Sequence, residues 1–118
     1  MSSLNKAQVI GRLGKDPELN KTDGGSSVVN FSVATAERYK TKEGKKGEVT
    51  DWHQIKAWDG LAENCDQYLS KGSLVYVEGK MKTNKWEDDN GATRYSTHVK
   101  AETVEFLTPK ETAVTTEQ

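Results

Sequence analysis

The residues with the most evident binding chemistry lie in the stretch TDWHQIKAW, residues 50–58. Side chains alternate between the two faces of a β-strand, so this stretch would have a mixed face and an apolar face. The mixed face would carry Trp52, Gln54, Lys56 and Trp58, and the apolar face His53, Ile55 and Ala57. Because a flat ring stacks on a nucleic-acid base and an ammonium group pairs with its phosphate, the mixed face indicates a nucleic-acid docking surface.

The distribution of charge supports such a surface better than the total charge does. The net charge of −1 argues, by itself, against a nucleic-acid binder. Residues 38–46, however, hold five basic residues and one acid, and residues 80–86 hold three lysines and no acid. Two basic segments therefore accompany the aromatic stretch, although any single lysine could be ordinary solvated surface.

Length and composition indicate one small domain. The 118 residues suffice for a single core without metal or disulfide staples, and 33% of them are hydrophobic. No apolar run approaches the roughly 20 residues that span a bilayer. The N-terminus also lacks the apolar centre of a secretory signal, so we expect a cytoplasmic protein.

The side chains needed for catalysis or metal binding are scarce. Cys65 has no partner for a disulfide, and His53 and His98 are the only histidines. A nuclease would need carboxylates or histidines around a metal ion, and a turn explains the pair Asp88 and Asp89 equally well. We therefore expect no enzyme, no cofactor and no metal site.

The elements that must position the binding residues are mostly strands. Hydrophobic alternation predicts strands at 6–13, 28–35, 51–58 and 73–81, followed by a hairpin of 82–86 and 93–107 around the turn signal Asn90-Gly91. Apolar residues at helical spacing predict one helix over 61–69. Residues 37–51 are predicted to be a long charged connection, and Met81, at the end of the strand 73–81, is expected in the core. We expect residues 37–49 and 80–98 to be flexible arms that close on the ligand.

Five strands with a helix between the third and fourth are typical of the OB-fold, a five-stranded Greek-key barrel that binds oligonucleotides or oligosaccharides. We therefore predict a mainly β, OB-fold domain over residues 1–107. Residues 108–118 have no hydrophobic periodicity and are predicted to be a short flexible tail.

Four segments closely resemble the bacterial single-stranded DNA-binding protein family: residues 5–19, 28–40, 50–95 and 104–107. The resemblance runs from residue 4 to about residue 107 in one register. It implies an OB-fold and binding of single-stranded DNA with little regard to sequence, in replication, recombination and repair. It also implies a nucleoid-associated protein that assembles into a homotetramer, with a dimer as the alternative.

The resemblance also assigns residues to roles. The positions that stack on bases match Tyr39, Trp52, Trp58 and Trp86. Phosphate contacts map to Lys56, Lys71, Lys80, Lys82 and Lys85. The subunit interface maps to His53 and Tyr76. Tyr39 replaces the family's usual Trp and Trp58 its usual Phe, and both keep an aromatic face.

The C-terminus departs from the family pattern. Family members usually end in a polar linker and a short acidic tip that recruits replication and repair proteins, whereas this sequence stops at Thr116-Glu117-Gln118. This argues against recruitment through such a tip. The chain could be truncated, come from a phage or plasmid, or be a natural short form.

Two alternatives stay open at this point. Trp58 could equally be a core residue beside the helix, since large aromatic side chains are highly buried on average. The domain could also be an OB-fold adaptor that acts mainly through protein contacts and binds DNA weakly.

Overall fold

The structure, a computed structural model, describes residues 2–108. In this range it has six strands and one helix: β1 Ala7–Leu13, β2 Glu18–Lys21, β3 Ser27–Lys40, β4 Lys46–Trp58, α1 Asp59–Tyr68, β5 Leu74–Glu87 and β6 Thr93–Phe106. No helix in this range is long and apolar enough to cross a membrane. The predicted tail lies, apart from Thr108, outside the described residues and stays a prediction.

The strands form a closed barrel. Their order is β1-β5-β6-β4-β3-β2, and β1 also pairs with β3, so five strands close on themselves while β2 extends one edge. All pairings are antiparallel except that of β4 with β6, where Ile55 aligns with Val99 and Lys56 with Lys100. The predicted mainly β OB-fold is confirmed. The helix lies between β4 and β5, whereas the prediction placed it between the third and fourth strands. The difference is one of numbering, because the short and mostly exposed β2 was not predicted.

The barrel interior is filled by the alternate residues of the strands. Val29, Phe31 and Val33 point inward from β3, and Ile55 and Ala57 from β4. From α1 and its C-terminal end, Ala62, Cys65 and Leu69 cover one end of this core. Burial raises the pKa of the Cys65 thiol to about 12, so this side chain stays protonated and acts as a small apolar group.

Two hairpins extend beyond the barrel. The first arm, residues 36–50, joins β3 to β4 through a turn in which the Thr41 amide donates to the Lys45 carbonyl at 2.8 Å. The second arm, residues 80–100, joins β5 to β6 through a turn at 88–92. Their expected mobility stays a prediction.

The first arm contradicts the predicted charged connection over residues 37–51. Its backbone is paired from Ala36 opposite Thr50 to Lys40 opposite Lys46. A two-stranded ribbon that projects into solvent has no core side, so polar residues on both faces are compatible with it. Met81 was likewise expected in the core but is 50% exposed, because the second arm leaves the barrel there.

Barrel closure requires a residue without a side chain at Gly11. A Cβ atom there would lie 2.1 Å from the carbonyl oxygen of Ala34, across the pairing of β1 with β3. Real Cβ atoms do not approach a backbone oxygen so closely, so a larger residue would force the two strands apart.

We expect Gly11→Ala to lower the free energy of unfolding by about 1–3 kcal/mol through this overpacking. Gly60→Ala is the matched control, since a Cβ on this helical glycine meets nothing within 4 Å. It should leave stability unchanged or raise it by up to about 1 kcal/mol. Chemical denaturation of both variants at one protein concentration makes the measurement. Equal stability of Gly11→Ala and the unmodified chain would show that the strands can separate at no cost.

Candidate nucleic-acid interface

The two faces of β4 are those predicted from the alternation. Ile55 and Ala57 are buried in the core, whereas Trp52 is 55% exposed and Trp58 is 36% exposed. Trp58 is the residue that precedes α1, and its exposure argues against the alternative of a core position. The mixed face of β4 therefore presents two indoles to solvent.

The neighbouring strand leaves room around these rings. On β3, Asn30 lies opposite Lys56, Ser32 opposite Gln54 and Ala34 opposite Trp52. The Gln54 Nε2 atom donates a hydrogen bond to the Ser32 hydroxyl at 2.9 Å. Small side chains on β3 therefore keep the aromatic surface of β4 open.

Glycine backbone supports two of the aromatic rings from one side. A Cβ on Gly14 would lie 2.4 Å from Cζ3 of Trp52, and one on Gly47 would lie 2.3 Å from Cζ of Tyr39. Each ring therefore rests where an ordinary side chain would stand. Trp52 is nevertheless 55% exposed, so the contact with Gly14 leaves much of its side chain open to solvent.

The second arm adds more aromatic and basic residues. Alternation from the paired strands puts six aromatic or basic residues on one side of the arm: Lys80, Lys82, Trp86, Arg94, His98 and Lys100. Trp86 lies directly opposite Arg94 and is 48% exposed. Since Lys100 pairs with Lys56, this side of the arm continues the mixed face of β4. We call the combined surface the outer face.

Tyr39 and Lys85 lie on other surfaces. Tyr39 is opposite Gly47 and, by alternation, shares the side of the first arm that His53 occupies, not that of Trp52. Lys85 is opposite Tyr95, on the side of the second arm that faces away from Trp86. Both aromatic side chains, those of Tyr39 and Tyr95, are exposed. The structure therefore does not gather every predicted contact on one face.

Lys71 lies beyond both arms, in the turn that follows α1. Its backbone amide donates to the Asp16 carboxylate at 2.8 Å. Asp16 in turn lines a groove of about 160 Å³ that also includes Ser32 and Gln54. Lys71 is thus near one end of the mixed face but apart from the other predicted lysines.

Asp88, the first residue of the acidic pair in the second arm, has a structural role. Asp88 accepts hydrogen bonds from the backbone amides of Asn90 and Ala92, each at 2.9 Å, and from Arg94 Nε at 2.8 Å. The bond from Arg94 and those from the amides hold the pKa of Asp88 below its usual value. Within residues 2–108, no group of three or more His, Cys, Asp or Glu side chains could hold a metal ion.

The two predicted interface residues belong to separate surfaces of one chain. The His53 ring is 2.8 Å from the Thr35 hydroxyl, on the side of β4 next to the second arm. Tyr76 donates to Glu78 at 2.5 Å and accepts from Gln8 at 3.0 Å, on the outside of β5 and β1. Its hydrogen bond and that of Lys6 lower the pKa of Glu78. β6 separates β4 from β5 in the sheet.

Several residues of the outer face were not predicted as contacts. They are Arg94, His98 and Lys100. Counting by twos along the hairpin on either side of Asn90-Gly91 would have placed all three on the same side of the arm as Trp86, so the signal was present in the sequence. Gly14 could not have been paired with Trp52 without the fold, because the two residues lie on separate elements.

Comparison with known proteins relates this geometry to a family. The Single-strand binding protein family model matches residues 4–107. The chain is 45% identical over 109 residues to Single-stranded DNA-binding protein 1 of Chlorobaculum tepidum, covering 92% of this chain and 67% of that protein. It is 42% identical over 112 residues to Single-stranded DNA-binding protein 1 of Xylella fastidiosa, covering 94% and 82%.

A solved structure agrees with the sequence matches. The Plasmodium falciparum SSB complex with ssDNA superposes with a TM-score of 0.80 at 34% identity, over 92% of this chain and 98% of that one. Barrel, helix position and sequence thus lead to one conclusion. The chain belongs to the single-strand binding protein family.

Proposed function

We propose that this chain binds single-stranded DNA without regard to sequence and protects it during replication, recombination and repair. The observation that carries the proposal is the outer face, on which exposed indoles and lysines lie together along two connected hairpins. The names of the two bacterial relatives and the DNA-bound state of the structural neighbour support it. We place the protein with the nucleoid in the cytoplasm.

Stacking would supply the sequence-independent contact. Every base has a π-face, and stacking on an aromatic side chain contributes about 1–3 kcal/mol per base. Trp52, Trp58 and Trp86 are exposed on the outer face and take this role in the proposal.

Lysines would neutralise the phosphates. Lys56, Lys80 and Lys82 lie on the outer face beside the indoles. Each such contact releases condensed counterions. The logarithm of the affinity should therefore fall by about 0.7 per contact for each tenfold rise in salt concentration, the value for a single strand. The proposed DNA path therefore depends on charge and on stacking together.

Tyr39, Lys71 and Lys85 imply a curved path if they also bind DNA. They occupy the reverse sides of the two arms and the turn after α1, away from the outer face. A nucleic acid that reached them would have to pass around the arms. We therefore propose that the DNA wraps the protein and does not follow a straight groove.

We propose that the chain assembles into a homotetramer, or at least a dimer, with His53 and Tyr76 at subunit interfaces. Ile10 supports an interface near Tyr76. It lies directly opposite Tyr76 on β1, and this apolar residue is 57% exposed. Burying such a residue against a second copy would remove apolar surface from water.

We expect Trp52→Ala to weaken binding of fluorescein-labelled oligo-dT by about 1–3 kcal/mol, roughly five- to 150-fold. Anisotropy at fixed salt measures the affinity, and circular dichroism should show an unchanged fold. Trp52→Phe, which keeps a ring, should retain most of the affinity. If the unmodified chain fails to bind oligo-dT, the proposed function is wrong and the adaptor alternative gains support.

Gly14 should act through Trp52. We expect Gly14→Ala to displace the ring and remove part of its stacking, about 0.5–1.5 kcal/mol of binding free energy. The double variant Gly14→Ala with Trp52→Ala should bind no more weakly than Trp52→Ala alone. Gly24→Ala is the control, since its Cβ would come no nearer than 4.0 Å to another side chain. Additive effects in the double variant would show that Gly14 acts independently of Trp52.

Lys82 should contribute to the salt dependence. Lys82→Ala should reduce the slope of log affinity against log salt by about 0.7, the value for one phosphate that is no longer neutralised. Lys21→Ala removes the same charge from β2, where Lys21 donates to Ser27 at 2.8 Å, and should leave the slope unchanged. Titrations at several salt concentrations give both slopes. Equal slopes for the two variants would place Lys82 outside the DNA path.

A further inference from the structure

His98 occupies the centre of the outer face. It lies directly opposite Lys82 in the pairing of β5 with β6, and the pairing of Lys56 with Lys100 brings β4 alongside. The partly buried ring borders a groove of about 220 Å³ that opens where β4 and β6 part. Trp52 and Gln54 line the same groove.

The surroundings of His98 are positively charged. Burial and then the charges of Lys56 and Lys82 lower the pKa of its imidazole. Lys80 on β5 and Lys100 on β6 add further positive charge. One acidic group is also near, because the Glu102 carboxylate lies 3.9 Å from Lys80 Nζ. The second imidazole at the groove, that of His53, is on the β4 side.

The two histidines differ in their hydrogen bonding. His53 is held by Thr35, whereas among residues 2–108 the His98 ring has no hydrogen-bond partner. An imidazole between two ammonium groups is therefore free to bind a ligand from solvent. Lys56, Lys82 and a protonated His98 would be three cations close together. The ligand that suits them is an anion with several oxygen atoms.

We propose that Lys56, Lys82 and His98 form one phosphate subsite of the outer face, and that His98 takes up a proton when a DNA phosphate occupies it. This inference rests on the proposed binding of single-stranded DNA. The bound phosphate offsets the repulsion from both lysines and accepts a charge-assisted hydrogen bond from the imidazolium. Because Trp52 lines the same groove, the subsite serves the nucleotide stacked there.

The sign of the pH effect follows from linkage. In the free protein the pKa of His98 is depressed, so the ring is mostly neutral at neutral pH. A phosphate stabilises the protonated ring and raises this pKa, so DNA binds the protonated protein more tightly. Affinity should therefore rise as pH falls and level off once the free protein is itself protonated.

The experiment compares the unmodified chain with His98→Gln, which keeps a neutral hydrogen-bonding side chain. Oligo-dT is the probe because thymine does not titrate between about pH 6 and pH 8, the range of histidine. The unmodified chain should bind about tenfold more tightly at the lower pH, the lower end of the gain from one hydrogen bond to a charged group. His98→Gln should match it within about twofold at the higher pH and show no such gain.

Two further readouts separate a phosphate contact from a structural effect. The salt slope of the unmodified chain should be steeper by about 0.7 at the lower pH, and that of His98→Gln should not change. Calorimetry of the unmodified chain in two buffers of different ionisation enthalpy should show proton uptake on binding. Absence of proton uptake by the unmodified chain would overturn the subsite without any variant, even if His98→Gln folds poorly.

The outcomes distinguish this inference from the proposed function. Absence of oligo-dT binding at either pH would overturn both. Tight binding without proton uptake, or with a pH dependence that persists in His98→Gln, would overturn the phosphate subsite alone. Proton uptake that disappears in His98→Gln, together with a steeper salt slope in the unmodified chain, would establish it.

Discussion

The short parallel pairing of β4 with β6 is the contact on which the binding face depends. Without it the two hairpins, β3 with β4 and β5 with β6, would be joined only through β1, which pairs with both β3 and β5, and their aromatic and basic side chains would lie on separate surfaces. Pairing Ile55 with Val99 buries two apolar residues, and the next pair places Lys56 beside Lys100 on the outside. One contact thus closes the barrel and joins two surfaces into one.

The core fixes which side chains face solvent. A shift of one residue in β4 would move Ile55 and Ala57 out of the core and bring Trp52 and Trp58 in. Burial of a side chain the size of Ile55 contributes about 1.5–3 kcal/mol, and an indole would not fit the space that Ala57 occupies opposite Val29. The free energy that holds the register also holds the exposed aromatics in place.

The sequence predicts the parts of this fold that obey a simple period. Alternation placed Ile55 inside and Trp52 outside, and Asn90-Gly91 located the turn of the second arm. It failed for residues 37–51, because a ribbon exposed on both faces leaves no hydrophobic pattern. It failed for Met81, because alternation gives the side of a strand but not where the barrel ends. The support of Trp52 by Gly14 depends on tertiary contact and has no local signal.

The aromatic and basic contacts differ in how much positioning they need. Stacking requires a ring at a defined angle, and the glycine backbone beneath Trp52 and Tyr39 restricts each ring before any ligand arrives. This lowers the conformational entropy cost of binding. Charge attraction is less directional and extends over about 8–10 Å at physiological salt, so long lysine side chains need no such support. His98 is the exception among the charged contacts, because a short, partly buried ring can bind a phosphate only where its strand puts it. Rings held by glycine backbone and one imidazole held by its strand therefore suit the proposed acceptance of any base sequence, and the remaining charges need no comparable support.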